Sequence, residues 1–309
     1  MLVSVCVATC QRPEGLRRLL NGLNLLSFRK IVAPNLEVVV VDNDATGSAK
    51  AVCTSQAEHF QWSLKYCIEE TRGISYARNK AIASVNPKTD FVVTIDDDEV
   101  STEFWLDELL FLQQMHNADI VTGPVLPHFV MPNVPQWVVK GKFFEPQRYP
   151  TGHTIHMAST NNVLIRFEIL QKLDPIFDER FAFSGGEDVY LFMRLHREGY
   201  KLIWADEALV YEWIPESRTR MGWVLERGFL GWGRHSFCEK ELYPSLVLQT
   251  IRILKGLGLI VRGLCFMLPS LFLGKHTFIR ALLNIYQGLG TLAGLLGIRY
   301  EVYRAIQSI

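Results

Sequence analysis

Two patterns of apolar positions alternate along the first two-thirds of the chain. Compact apolar runs rich in β-branched residues cover 3–9, 36–41, 64–68 and 91–95, and each predicts a buried strand. Between them, stretches with apolar side chains every three or four positions predict helices over 13–25, 46–57, 75–84 and 102–115. This βαβα order implies an α/β fold with a mostly parallel sheet and helices on both faces. Ligands of such sheets bind beyond the carboxyl ends of the strands, so the strand ends at Thr9, Asp42 and Asp96 are expected to share one crevice.

The rhythm breaks after Gly123-Pro124. Residues 127–156 carry five prolines together with aromatic residues and histidines, and a stretch of this length without a periodic pattern reads as a lid. Order resumes over 158–166, a strand leading into a helix. A Gly185-Gly186-Glu187-Asp188 turn follows, then a helix to Glu198 and strands over 202–204 and 208–211.

From Leu246 the composition turns apolar. The run 281–298 has no charged residue and is bounded by Arg280 and Arg299; 263–274 is shorter and interrupted by Pro269. As a helix the longer run reaches about 27 Å, just short of a hydrocarbon core of ~30 Å. A spanning helix, an interfacial helix, a shallow hairpin and a soluble helical pair packed on the body or on another subunit all remain open. Gly290 and Gly294 permit close helix approach. The chain thus divides into a catalytic unit, 1–244, and an apolar helical appendage, 245–309.

Charge sharpens that division. Lysine plus arginine and aspartate plus glutamate total 32 each, yet from Ser245 onward there are seven basic residues and a single acid, Glu301. A basic, apolar tail suits an anionic membrane surface and argues against nucleic acid as a partner. The N-terminal apolar run lacks a basic leader and reads as a first strand, not a signal peptide. Six scattered cysteines form no CxxC pair, which places reduced, mostly buried thiols in a body facing the cytosol.

The candidate chemistry begins where the strand 91–95 runs into Asp96-Asp97-Asp98-Glu99. Four adjacent carboxylates repel one another unless a cation offsets them, and hard ions such as Mg²⁺ or Mn²⁺ bind carboxylate oxygens while sharing the metal with substrate phosphates. An acidic turn capping the next helix is the competing explanation.

Five motifs in order, Val5 through Pro13, Val40-Val41-Asp42-Asn43, Gly73 through Asn79, Asp96-Asp97-Asp98 and Gly185-Gly186-Glu187-Asp188, resemble the family 2 glycosyltransferases, which are inverting enzymes of the GT-A fold. The resemblance covers about residues 1–233. The continuation Pro215-Glu216-Ser217-Arg218, with Trp223, Arg227 and Gly231, is similar to the bacterial exopolysaccharide branch, the succinoglycan glucosyltransferases in particular. It implies transfer of a sugar from a nucleotide-sugar, by resemblance a UDP-sugar, to a saccharide acceptor, lipid-linked and at the cytosolic face of the membrane.

On that resemblance, Ala8, Thr9, Arg12, Asp42, Arg72, Gly73, Arg78, Asn79, Asp96 and Asp97 are donor-side residues; the rival roles are a helix-end surface charge for Arg12, an Asx turn with Asn43 and Asp44 for Asp42, and a structural pair with Asp96 for Arg78. Asp98, with Asp96 and Glu212, is the expected metal set; many relatives have a histidine where Tyr211-Glu212-Trp213 stands. Asp188 is the expected base, with Glu187 orienting it or the acceptor, and capping of the helix is the rival role for this pair. Asn162 and Trp137 are expected on the acceptor side, with Phe143, Phe144 and His153 as further sugar-stacking walls. Arg218 and Arg227 either clamp the diphosphate or are solvated. Two rival functions stand beside transfer: a haloacid-dehalogenase-type phosphatase with Asp96 as nucleophile, and a membrane-bound scaffold without turnover.

Overall fold

The structure is a computed structural model that describes residues 1–301; Arg304 of the basic tail lies outside the described residues. In chain order the elements are β1 (Leu2–Thr9), α1 (Pro13–Leu23), β2 (Asn35–Asp42), α2 (Lys50–Ala57), β3 (Ser63–Ile68), α3 (Ile74–Ala83), β4 (Phe91–Ile95), β5 (Glu99–Ser101), α4 (Trp105–His116) and β6 (Ile120–Thr122). Then come β7 (Val125–Phe129), α5 (Gln136–Gly141), β8 (Asn162–Arg166), α6 (Phe167–Leu170), α7 (Glu187–Arg197), β9 (Leu202–Trp204), β10 (Val210–Ile214), α8 (Met221–Leu242), α9 (Leu246–Leu273) and α10 (Lys275–Leu295).

The main sheet runs β3-β2-β1-β4-β8-β6-β9. Its first four strands are parallel, β8 is antiparallel to both neighbours, and β9 is parallel to β6. Alternation along each strand builds the two layers. Val3, Val5, Val7, Val38, Val40 and Val93 point into a core with α1, α2 and α4, while Cys6, Val39, Val41 and Val92 point into a second core with α3, α6 and α7. Register carries Thr9 beside Asp42, and Ile95 beside Asn162, so the expected strand ends do share one edge.

Two departures from the sequence pattern have local causes. Residues 127–156 are not wholly irregular: β7 joins β10 and β5 in a separate three-stranded sheet, and α5 follows. Pro127 hid this strand, yet β7 pairs on one side only, where a missing N–H is tolerated. Helix α2 begins at Lys50 because the Asp42 carboxylate holds the preceding turn, accepting from the Asp44 and Ala49 N–H groups at 3.2 and 2.7 Å.

The tail helices α9 and α10 pack together and against α8 of the preceding unit. α8 and α9 flank α10, and Trp137, Val138, Val224 and Ile279 form a common apolar cluster between α5, α8 and α10. Among the described residues one helix is long and apolar enough to cross a membrane, the 28-residue α9, in which an 18-residue window reaches mean hydropathy 1.9. The run 281–298 lies mostly in α10, whose Gly288, Gly290 and Gly294 are buried against neighbouring helices.

Candidate active site

The chain leaves the fully buried β4 at Asp96 and turns so tightly that Glu99 accepts the Asp96 N–H at 2.9 Å. Glu99 therefore closes the turn and starts β5 instead of capping a helix. Burial, reinforced by the charges of Asp96 and Asp98, raises its carboxyl well above the usual range. Asp97 points inward and accepts from the Thr9 hydroxyl at 2.7 Å and from Arg12 at 3.0 Å. Burial lifts it to about 6, against the pull of Arg12.

Asp98 sits between two arginines, accepting from Arg12 at 3.3 Å and from Arg218 at 2.8 Å. Arg218 also pairs with Glu212, which β10 presents opposite Glu99. With its side chain only 12% exposed, Arg218 is not a solvated surface charge. Its guanidinium and that of Arg227 lie over Trp223, which stacks on Phe144 at 5.5 Å. Asp96 is the open member of the run, with 38% of its side chain exposed.

Arg78 joins this cluster to the Glu187-Asp188 pair. It donates to Asp96 at 3.0 Å and to the Glu187 carboxylate. Gly186 makes the turn possible: its φ is +99°, and an added Cβ would press on the Arg234 stem at 3.2 Å. Glu187 is buried, which raises its carboxyl to about 7, opposed by Arg78 and reinforced by Asp188. Its Oε2 is buried with no hydrogen-bond partner. Asp188 is half-buried in the first turn of α7, where the helix dipole favours a carboxylate, and accepts the Val189 N–H at 2.8 Å.

Several expected ligand residues are committed to the scaffold instead. Asp42 is fully buried and accepts from the Ala49 N–H and the Tyr66 hydroxyl, so its side chain organises the β2–α2 turn. Asn79 is occupied by both backbone groups of Phe177 at 2.8 Å. Asn162, expected on the acceptor side, has no exposed surface: it accepts from Trp105 Nε1 at 2.7 Å and donates to the Pro124 and Ala208 carbonyls at 3.1 and 2.8 Å. Trp137 packs against Phe143 and its α8 and α10 neighbours, which removes it from a sugar-facing wall. His153 stacks on Tyr149.

Gly73 acts through close approach. Its φ is +139°, its N–H donates to Asn43 Oδ1 at 2.8 Å, and a Cβ there would lie 2.7 Å from that of Ala182. Arg72 is half-buried beside Cys10, where its charge opposes the burial that raises that thiol. Ala8, one residue before the end of β1, is half-buried and lines a narrow cavity with Arg78, Asp96 and Thr94, whose hydroxyl is buried without a partner. The link from Arg78 to Glu187 and the seating of Arg218 between Asp98 and Glu212 went unread in the sequence, since no spacing rule connects partners so far apart.

Hard oxygen donors suit Mg²⁺ or Mn²⁺, which commonly take one or two carboxylates and complete their shell with substrate phosphate and water. Asp96 and Asp98 fit that pattern. Among the described residues no three histidine, cysteine or carboxylate side chains gather as a ready metal cage, and Arg218 stands between Asp98 and the expected third ligand, Glu212.

Solved structures share this architecture. The mannosyltransferase PcManGT from Pyrobaculum calidifontis, in complex with GDP-Man and Mn²⁺, has TM-score 0.65 and 18% identity over 96% of this chain and 87% of its own. S. aureus TarS 1-349 with UDP has TM-score 0.54 and 18% identity over 94% of this chain and 90% of its own. The shared architecture is the GT-A fold, with the acidic run at the edge of the sheet.

The chain belongs to glycosyl transferase family 2, whose model matches residues 4–174; the related glycosyl transferase family group 2 model matches 91–288. It is 30% identical to succinoglycan biosynthesis protein ExoM of Rhizobium meliloti over 96% of this chain and 94% of that protein. It is 24% identical to the glucosyl-dolichyl phosphate glucuronosyltransferase of Haloferax volcanii over 63% of this chain and 64% of that one. Family membership removes the phosphatase reading, and the acidic run and the Glu187-Asp188 pair at one edge argue against the scaffold.

Proposed function

We propose that this enzyme transfers a sugar from a nucleotide-diphosphate donor, a UDP-sugar, to a lipid-linked saccharide during exopolysaccharide synthesis at the cytosolic membrane face. The observation that carries it is the single edge shared by Asp96-Asp97-Asp98 and Glu187-Asp188, tied together by Arg78. The similarity to a succinoglycan biosynthesis protein supports the pathway class, and nucleotide donors bound by the structural neighbours support the donor class. Free thiols at all six cysteines accord with a reducing compartment. In this reading 1–244 carries the chemistry and 245–309 the membrane contact.

Asp188 takes the proton from the acceptor hydroxyl as that oxygen attacks the anomeric carbon opposite the leaving nucleotide, which inverts the configuration. Glu187, fixed by Arg78, holds the base in position. Asp98 and Asp96 would hold a divalent ion, which would supply positive charge against the charge growing on the departing diphosphate. Arg12 and Arg218 both stand beside Asp98 and add positive charge to that end of the site.

The test is incubation of purified protein with a panel of UDP- and GDP-sugars, Mn²⁺ and oligosaccharide acceptors, following nucleotide release. Release that depends on acceptor supports transfer. Phosphate release from phosphomonoesters without nucleotide release would overturn it.

A further inference from the structure

Helix α9 is long and apolar enough to cross a bilayer, yet its packing does not leave it free to do so. Its buried residues are Arg252, Gly256, Gly263 and Ser270, one narrow stripe on the body side: Gly256 and Gly263 meet α10, and Arg252 pairs with Glu239 of α8. The approach is backbone to backbone: a Cβ on Gly263 would lie 2.6 Å from the Ala281 oxygen, and one on Gly288 would lie 2.5 Å from the Gly256 oxygen. α10 is held by the body along its other side. Near its start, Ile279 is fully buried against α5 and α8, and Arg280 donates to the Gly141 carbonyl. Towards its end, Gly290 and Gly294 meet the Phe229 and Gly233 backbone, and Lys240 Nζ donates to the Leu295 carbonyl at 2.7 Å.

The middle of α9 is therefore one helix away from α8 along its length, and packed helix axes lie about 8–10 Å apart. Passing α9 through a ~30 Å hydrocarbon layer would carry Glu226, Arg227, Arg234 and Glu239 of α8 to the same depth. Charged side chains at that depth are expensive, and an enzyme body has no means of avoiding the cost there.

We infer that α9 lies in the plane of an anionic lipid surface, its apolar face sunk in the acyl boundary and the catalytic body above it. This deepens the proposed function and rests on its membrane-side acceptor. Opposite the glycine stripe, at helical spacing, stand Leu246, Ile253, Leu257, Val261, Leu264 and Leu268, all exposed. Lys255 and Arg262, seven residues apart, edge this face, and Lys275 and Arg280 extend the basic border. That charge selects the occupant: two copies docking here would bring like charges together, whereas anionic lipid complements both the apolar face and its basic margin. At the far end of α9, Lys275 lies over Trp137, and the adjoining Phe144 reaches Trp223 beside Arg218. A head group presented at the lipid surface thus meets the site by way of α5.

The experiment is flotation of the full chain with sealed phosphatidylcholine vesicles, with and without phosphatidylglycerol. The chain floats with the anionic vesicles and is released by alkaline carbonate, and Leu257→Asp with Leu264→Asp lowers the bound fraction about 10-fold or more. In a Cys265→Ser background, Ser245→Cys and Lys275→Cys both react with an impermeant maleimide added outside. Labelling of one of them only after the vesicles are opened means a span and overturns the inference. So does unchanged binding of the double variant, or no binding to anionic vesicles. Transfer to a water-soluble acceptor is read in parallel: intact transfer without flotation removes the membrane inference alone, and flotation without transfer removes the enzymatic reading alone.

Discussion

Arg78 and Glu187 form a buried ion pair between the first part of the chain and the turn before α7, with side chains only 11% and 4% exposed. The pair brings the α3 helix and the α7 N-terminus to one point beneath the acidic edge of the sheet. Removing the cation leaves a buried, unpaired carboxylate. Arg78→Met is expected to cost about 3–5 kcal/mol of stability, read by urea unfolding, and adding Glu187→Gln is expected to return much of it. Equal loss in the single and double variants would show that the ion pair does not govern this junction.

The same carboxyl sets a pH dependence. Glu187 titrates at about 7 in the folded chain against an ordinary value of 4.5, so between these values the folded state holds a proton the unfolded chain has released. The slope of unfolding free energy with pH is then negative. This group's favourable term is full below about 4.5 and is lost as pH rises through about 7. Thermal midpoints measured across that window should decline for the native chain relative to Glu187→Gln, and parallel curves would count against the assignment.

Asp188 differs from Glu187 in being half-buried and bonded locally to the Val189 N–H. Asp188→Asn is expected to lower kcat by about 10²–10⁴-fold while donor affinity, measured by calorimetry, stays within a few-fold of the native value. A variant that keeps full turnover would move the base elsewhere.

The divalent-ion reading places weight on Asp98. Chelation should suppress donor turnover, with Mn²⁺ or Mg²⁺ restoring it, and Asp98→Asn should weaken metal-supported donor binding about 10-fold or more, as loss of an oxygen ligand does. Turnover indifferent to chelation would instead assign charge neutralisation to Arg12 and Arg218.

What the sequence made legible follows from range. The strands β1, β2 and β4 show their buried alternation within a few residues, and the acidic run stands where β4 ends, so the fold class and the edge bearing the site could be read directly. Roles that depend on distant partners could not. Asp42 and Asn162 are polar residues at strand ends, where a ligand contact and a scaffold hydrogen bond look alike in sequence. Only the fold reveals that Ala49 and Tyr66 occupy the first and Trp105, Pro124 and Ala208 the second. Arg218 was ambiguous for the same reason, its partners Asp98 and Glu212 being brought in by two different strands.

Asn162 offers a direct test of that distinction. Asn162→Leu leaves the Trp105 indole N–H and the Ala208 carbonyl unpaired in the interior, each costing about 1–3 kcal/mol, and takes one of two donors from the Pro124 carbonyl, which keeps the Val210 N–H. The expected result is a large loss of stability with little change in acceptor KM for the fraction that remains folded. A raised acceptor KM at unaltered stability would return Asn162 to the acceptor site.

The glycines of α10 make the last prediction. A Cβ at Gly290 or Gly294 would fall on the backbone oxygens of Phe229 and Gly233. A backbone oxygen inside a helix cannot swing aside as a side chain can, so α8 and α10 must separate. Gly294→Val is expected to cost about 1–3 kcal/mol and to expose the α9–α10 hairpin to limited proteolysis. Gly297→Ala is the control outside the contact: nothing lies within 4 Å of its Cβ position, though its φ of +81° carries a strain of its own. Faster cleavage after Gly294→Val than after Gly297→Ala ties the hairpin to the body through close packing, and equal cleavage would mean that α10 is held by its polar contacts instead.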